Sequence, residues 1–82
     1  MSPRRREVVI APKAVENMLS CQPTPDESRA LKAMLTDLGS DPKLGYKIAF
    51  LNPELYRADV GRFRIHYSLH ADRVAVSFIG VY

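Results

Sequence analysis

Between Leu55 and Leu69 apolar and polar residues alternate on both sides of one dipeptide, Gly61-Arg62, and this constrains the fold more than any other feature of the chain. Tyr56, Ala58 and Val60 share one side of an extended strand, and Phe63, Ile65, Tyr67 and Leu69 share one side of the next. Only a pleated strand lines up a period of two on one face. Gly61-Arg62 fits a two-residue loop, in which glycine supplies the positive φ that a type II′ turn needs at its first position. A register follows. Val60 faces Phe63, Ala58 faces Ile65 and Tyr56 faces Tyr67 on the apolar face, while Asp59 faces Arg64 and Arg57 faces His66 on the other.

The alternation resumes at Val74, Val76 and Phe78, with Ala71-Asp72 closing a second, looser hairpin. Leu69 then pairs with Val74, Tyr67 with Val76 and Ile65 with Phe78, so all three strands agree on the face to be buried. The opposite face collects Arg57, Asp59, Arg64, His66 and Ser77. A helix layer must cover the apolar face, and the first half of the chain supplies it.

Arg6 to Ala11 is a short β-rich run stopped by Pro12, which suits the first turn of a helix. Val15, Met18 and Leu19 give that helix an apolar side, and it ends near Cys21. After the Gln22-Pro-Thr-Pro25 break, Thr24 is placed to cap a second helix, Pro25 to start it and Glu27 to complete a capping box. Ala30, Leu31, Met34, Leu35 and Leu38 form its stripe, and Gly39 is expected just past its end. Tyr46, Ile48 and Phe50 permit a short strand before Asn52-Pro53 breaks it. The expected fold is α+β with order β-α-α-β-β-β: two N-terminal helices on one face of a small, mainly antiparallel sheet. Its expected core holds Leu31, Leu35, Leu38, Phe63, Ile65, Tyr67, Val76 and Phe78.

At 82 residues the chain has room for one domain, spanning 1–82, with residues 1–5 expected to form a flexible basic arm. No apolar run approaches the roughly 20 residues that cross a bilayer, and Arg4-Arg5-Arg6 is not followed by a signal-peptide apolar region, so a cytoplasmic protein is expected. Cys21, the lone cysteine, forms no internal disulfide, and no His or Cys cluster has metal-ligand spacing. No metal and no cofactor are expected. The net charge of +3 permits an anionic partner.

Several motifs occur in a telling order: Pro12-Lys13-Ala14 after the first strand, Leu38-Gly-Ser-Asp-Pro42 followed by Gly45, and Tyr56-Arg57-x-x-Val60-Gly61-x-Phe63-Arg64-Ile65-x-Tyr67. Phe78-Ile79-Gly80 closes the series. The chain resembles the RelE/ParE superfamily of toxins from type II toxin–antitoxin modules, whose hairpin pattern is Tyr-Arg-x-Arg-Val-Gly-Asp-Tyr-Arg-Val-x-Tyr. The resemblance implies a toxin held inactive by a cognate antitoxin and acting either on the ribosome and its mRNA, as a metal-independent endoribonuclease, or on DNA gyrase. A third implied class is a catalytically silent module that keeps the fold and its antitoxin-binding surface.

In the RNases of the family, basic groups orient the 2′-hydroxyl nucleophile and offset charge on the phosphorane-like transition state. Arg64 and Arg57 match such positions, and His66, on the same face, can act as a proton-transfer group. The catalytic candidates are therefore Arg64, His66 and Arg57. The nucleic-acid-binding candidates are Arg57, Arg62, Arg64, Lys47 and Tyr82, with Ser77 able to bond a sugar or phosphate oxygen. Tyr46 and Tyr82 are candidates for base stacking, since Tyr56, Phe63 and Tyr67 fall on the helix-covered face. Three departures stand out, one of them His66 itself, at a position where the family commonly has an aliphatic residue. Asp59 replaces a basic residue of the pattern, and Tyr82 follows the last strand where a basic residue is usual.

Overall fold

A computed structural model of the chain describes residues 5–49 and 53–81. The elements run β1 (Glu7–Ile10), α1 (Pro12–Ser20), α2 (Pro25–Ser40), β2 (Tyr46–Ala49), β3 (Glu54–Val60), β4 (Phe63–Leu69) and β5 (Arg73–Val81). The sheet order is β1-β5-β4-β3-β2, with β1 parallel to β5 and the other pairs antiparallel. The short strand that Tyr46 and Ile48 permitted does form, and it lengthens the meander to four strands. Phe50 lies outside the described residues.

The first hairpin has the register its alternation dictates, from Val60–Phe63 through Asp59–Arg64, Ala58–Ile65 and Arg57–His66 to Tyr56–Tyr67. Gly61 sits at φ +58° in the turn. Arg62, beside it, reaches back to α2: its Nε donates to Glu27 Oε2 at 2.6 Å and one terminal nitrogen to Glu27 Oε1 at 3.0 Å. The same nitrogen meets the Cys21 carbonyl at 3.2 Å, so the turn is fastened to the α1–α2 junction. That bidentate pairing, helped by the Thr24 backbone, holds the Glu27 carboxyl down at about 2 from its ordinary 4.5. Thr24 and Glu27 also close the expected capping box.

The second hairpin corrects the expectation at one point. Leu69 pairs with Val74 and Tyr67 with Val76, but a bulge then intervenes, so that Ile79 rather than Phe78 faces Ile65. Ile79 is fully buried, while Phe78 is half-buried beside His66. A bulge inserts one residue and moves every later side chain to the opposite face. Because Phe78 and Ile79 are both apolar, a period-two pattern does not reveal which of them turns inward.

Gly39 is the second correction. The helix runs through it to Ser40, with Asp41 at its C-cap. A side chain there would come within 2.9 Å of the Arg6 carbonyl and 3.3 Å of Val8 Cγ2, so the glycine serves close packing of α2 on β1 rather than helix termination. The Arg6 N–H donates to the Gly39 carbonyl at 2.7 Å across that contact.

Leu31, Leu38, Tyr56, Ala58, Phe63, Ile65, Tyr67, Val74, Val76 and Ile79 make the core with Ala14, and Leu35 is partly buried against it. Each large apolar side chain taken fully from water contributes about 1.5–3 kcal/mol. Tyr67 does more than fill space. Its ring stacks on Tyr56 at 5.4 Å, and its buried hydroxyl donates to the Pro42 carbonyl at 2.7 Å and accepts from the Gly45 N–H at 3.1 Å. The chain leaving α2 is thereby pinned to β4. At Gly45 a Cβ would lie 2.8 Å from the Tyr67 hydroxyl and inside contact distance of the Arg57 carbonyl, which explains the glycine.

Where β1 ends, the exposed edge of β5 is finished by helix α1. The Ala11 N–H donates to the Val76 carbonyl at 2.9 Å, and Asn17 Nδ2 donates to the Ile79 carbonyl at 2.9 Å in place of a further strand. A side-chain amide thus continues the ladder past the bulge.

Replacing Tyr67 by Phe strands a buried carbonyl and a half-buried N–H in one step. Urea unfolding should show a loss of about 1–3 kcal/mol. Arg29→Ala, on the exposed side of α2, should stay within about 0.5 kcal/mol of wild type in the same assay.

Candidate functional site

The face of the sheet opposite the core carries a row that crosses four strands: Tyr46 on β2, Arg57 on β3, His66 on β4 and Phe78 on β5, each a register partner of the next. One step along the strands, Asp59 pairs with Arg64, and Arg64 with Gly80. The pleat forces this grouping, because alternate residues of antiparallel neighbours must share a face. Arg57, Asp59, Arg64 and His66 therefore come together as the sequence predicts.

Asp59 stands between the two arginines. Its Oδ2 is 3.5 Å from a terminal nitrogen of Arg57 and its Oδ1 is 3.7 Å from Arg64 Nε. All three side chains are roughly a quarter to a third exposed, so each contact is worth at most about 1 kcal/mol. The Arg57 guanidinium also lies over the Tyr46 ring, 5.6 Å from its centroid, and Tyr46 is 65% exposed. Arg57 Nε is buried without a hydrogen-bond acceptor among the described residues.

His66 packs its ring against Phe78, with centroids 5.2 Å apart and planes tilted by 45°. Burial pushes its pKa below the ordinary 6.5, the charges of Arg64 and Arg57 push it further, and Asp59 opposes them. The imidazole is thus neutral at neutral pH and able to take up a proton. Phe78, which supplies part of that burial, escapes a reading by strict alternation because only the bulge brings it to this face. Ser77, the residue next to it, points its hydroxyl at the His66 carbonyl at 3.3 Å rather than at the ring.

The remaining candidates lie elsewhere. Arg62 is engaged with Glu27 and Cys21 at the helix junction, and it also covers the Phe63 ring at 5.0 Å. Lys47 pairs in register with Tyr56, hence on the other face of the sheet from Arg57, and its Nζ lies 3.3 Å from Glu54 Oε1. Glu54 also accepts the Tyr56 hydroxyl at 2.8 Å, and these two bonds lower its pKa. Tyr82 lies outside the described residues. Among the described residues, no group of His, Cys, Asp and Glu is arranged to hold a metal ion, and no helix is long and apolar enough to cross a membrane.

An α+β sheet of this order, with two helices on one face, has a counterpart among solved structures. The chain is similar to one in the crystal structure of the archaeal RelE–RelB complex from Pyrococcus horikoshii OT3, with a TM-score of 0.80 over 94% of both chains and 19% identity. No protein-family model matches the sequence, and no curated protein does. The fold is RelE-like.

The electrostatics of the row can be read by NMR titration of the His66 ring. Its midpoint should fall below 6.5, rise in Arg64→Gln and fall further in Asp59→Asn. Stability follows from the sign. The unfolded imidazole binds a proton that the folded one resists, so the contribution of His66 is fully present above pH 6.5 and is lost as pH falls through the folded value.

Proposed function

We propose that the chain is the toxin of a type II toxin–antitoxin module, neutralised by a partner antitoxin and acting as a ribosome-dependent endoribonuclease on mRNA. The observation that carries the reading is the RelE-like fold over 94% of the chain, matched to a structure solved as a RelE–RelB complex. The chemistry of the open face supports it. A neutral imidazole lies opposite Arg57 and two residues along the same strand from Arg64, at register positions fixed by strands rather than loops.

On this reading His66 accepts the proton of a ribose 2′-hydroxyl, whose oxygen attacks the adjacent phosphorus. The bond from phosphorus to the 5′ oxygen breaks, water protonates that oxygen, and a 2′,3′-cyclic phosphate remains. Arg57 and Arg64 offset the charge that builds on the phosphate oxygens. The exposed Tyr46 ring beside Arg57 offers a surface on which a base can stack.

Asp59 favours a second reading, a silent module of the same fold that binds an antitoxin without cutting RNA. Its carboxylate occupies the space between the arginines where a phosphate would sit. The two readings separate in one experiment. Expression of the toxin should arrest growth and fragment mRNA, and the antitoxin gene should rescue it; arrest with intact mRNA would move the target to DNA gyrase, and no arrest would favour the silent module. For an RNase, His66→Ala should slow cleavage by about 100-fold or more while leaving RNA affinity nearly unchanged. Arg64→Ala should weaken both, and Asp59→Lys should raise activity. The cleavage rate should climb with pH to a plateau whose midpoint lies below 6.5, following the His66 titration.

A further inference from the structure

The outer face of β4 carries more than Arg64 and His66. Side chains at every second position share a face, so Ser68 follows His66 there, and His70, just past the strand, continues the series. His70 Nε2 lies 3.0 Å from Ser68 Oγ. Both residues are half-buried, which leaves the pair within reach of a ligand on the face that no helix covers. The backbone of His70 is fixed from two sides: its N–H donates to the Arg73 carbonyl at 3.0 Å, and its carbonyl accepts from Arg6 Nε at 3.1 Å. Ser68 is held in the sheet between Leu55 on β3 and Ala75 on β5, with its Oγ 3.5 Å from the Ala75 carbonyl. The charged groups that flank His70 are Arg6, Asp72 and Arg73, with Glu7, the register partner of Arg73 on β1, beyond them.

We propose that the hydrogen-bonded pair of Ser68 and His70 delivers the proton to the leaving 5′ oxygen in RNA cleavage, in place of water. The assignment rests on the reading of the chain as an RNase with His66 as its base. An in-line displacement puts the attacking and leaving oxygens on opposite sides of the phosphorus, so the base and the acid stand apart, each within a hydrogen bond of its own oxygen. Adjacent outward positions of a strand are separated by about 6.6 Å, a spacing that lets His66 and Ser68 address the two sides of one phosphorus. A serine hydroxyl alone is too weak an acid for this task, and the imidazolium behind it is the source of the proton. As the bond from phosphorus to the 5′ oxygen breaks, the Ser68 hydroxyl proton passes to that oxygen and the His70 Nε2 proton passes to Ser68 Oγ. A 2′,3′-cyclic phosphate, a 5′-hydroxyl, a protonated His66 and a neutral His70 result, and exchange with solvent restores both rings. Ser68 is the catalytic residue of the pair, because it touches the leaving oxygen; His70 acts through it.

The test uses the full chain on ribosomes programmed with mRNA whose cleaved linkage is either an ordinary phosphodiester or a 5′-bridging phosphorothiolate. In the second, sulfur replaces the 5′ oxygen and departs as a thiolate that needs no proton. On ordinary mRNA, Ser68→Ala and His70→Gln should each slow single-turnover cleavage by about 10-fold or more. On the phosphorothiolate both variants should come within about 3-fold of wild type, whereas His66→Ala, which loses the group acting on the nucleophile, should stay slow on both substrates. Glutamine can still hydrogen-bond Ser68 but cannot pass on a proton, so rescue of His70→Gln by the sulfur leaving group separates proton delivery from support of the turn. Beyond the plateau set by His66, the wild-type rate should fall as His70 loses its proton, and His70→Gln should remove that fall. Cleavage of ordinary mRNA at the wild-type rate by either variant, or equal slowing on the two substrates, would overturn the proposal and leave the RNase reading standing. No cleavage of either substrate by the wild-type chain would remove the RNase reading and the proton delivery with it.

Discussion

The turn at Gly61-Arg62 is the constraint from which the rest of the sheet follows. With Gly61 at φ +58°, the loop has two residues, and a two-residue loop leaves β3 and β4 a single register. Slipping that register by one residue would send Phe63, Ile65 and Tyr67 to water and Arg64 and His66 into the core. Arg62 adds a second restraint from the same turn. By bonding Glu27 and the Cys21 carbonyl, it ties the hairpin tip to the start of α2, so the helix layer and the sheet are set against each other at a fixed point. The opposite end of the hairpin is held by the Tyr67 hydroxyl on Pro42 and Gly45.

Because the hairpin is restrained at both ends, the row on its outer face is preorganised by the core. Arg57, His66 and Arg64 alternate with Tyr56, Ala58, Ile65 and Tyr67, which are buried. The position of each outer residue is thus inherited from the packing of its inner neighbours. The low pKa of His66 has the same origin. Burial comes first among its causes, and part of that burial is the Phe78 ring delivered by the bulge in β5. Asp59 then acts as a counterweight, drawing on both arginines and moderating the field they exert on the imidazole.

Much of this was legible in the sequence, and what was not has identifiable physical reasons. Tyr56 to Leu69 could be read because side-chain direction there depends on parity alone, and Thr24-Pro-Asp-Glu27 because a capping box is local. The bulge is different: an extra residue in β5 leaves composition and apolarity unchanged, and only the packing of Ile79 against Ile65 chooses between the inward candidates. Gly39 misled for a similar reason. The same absent Cβ that suits a helix end also suits close approach of two elements, and the deciding neighbour, the Arg6 carbonyl, lies far away in sequence. Arg62 and Lys47 read as cations available to nucleic acid because the carboxylates that engage them are supplied by tertiary structure in one case and by strand pairing in the other.

The two basic surfaces differ in a way that net charge does not express. On the open face Arg57 and Arg64 share the Asp59 carboxylate beside a titratable ring, so their charge is partly met by a neighbour on the same face. In the groove between β1 and α2, Arg5 and Arg6 are instead positioned by carbonyl and hydroxyl oxygens, near the aliphatic side chains of Val8, Ile10 and Leu35. Arg5 has a further role there, since α2 has no basic residue in its last turn and the guanidinium bonded to the Thr36 carbonyl supplies the cation that the negative end of the helix dipole favours.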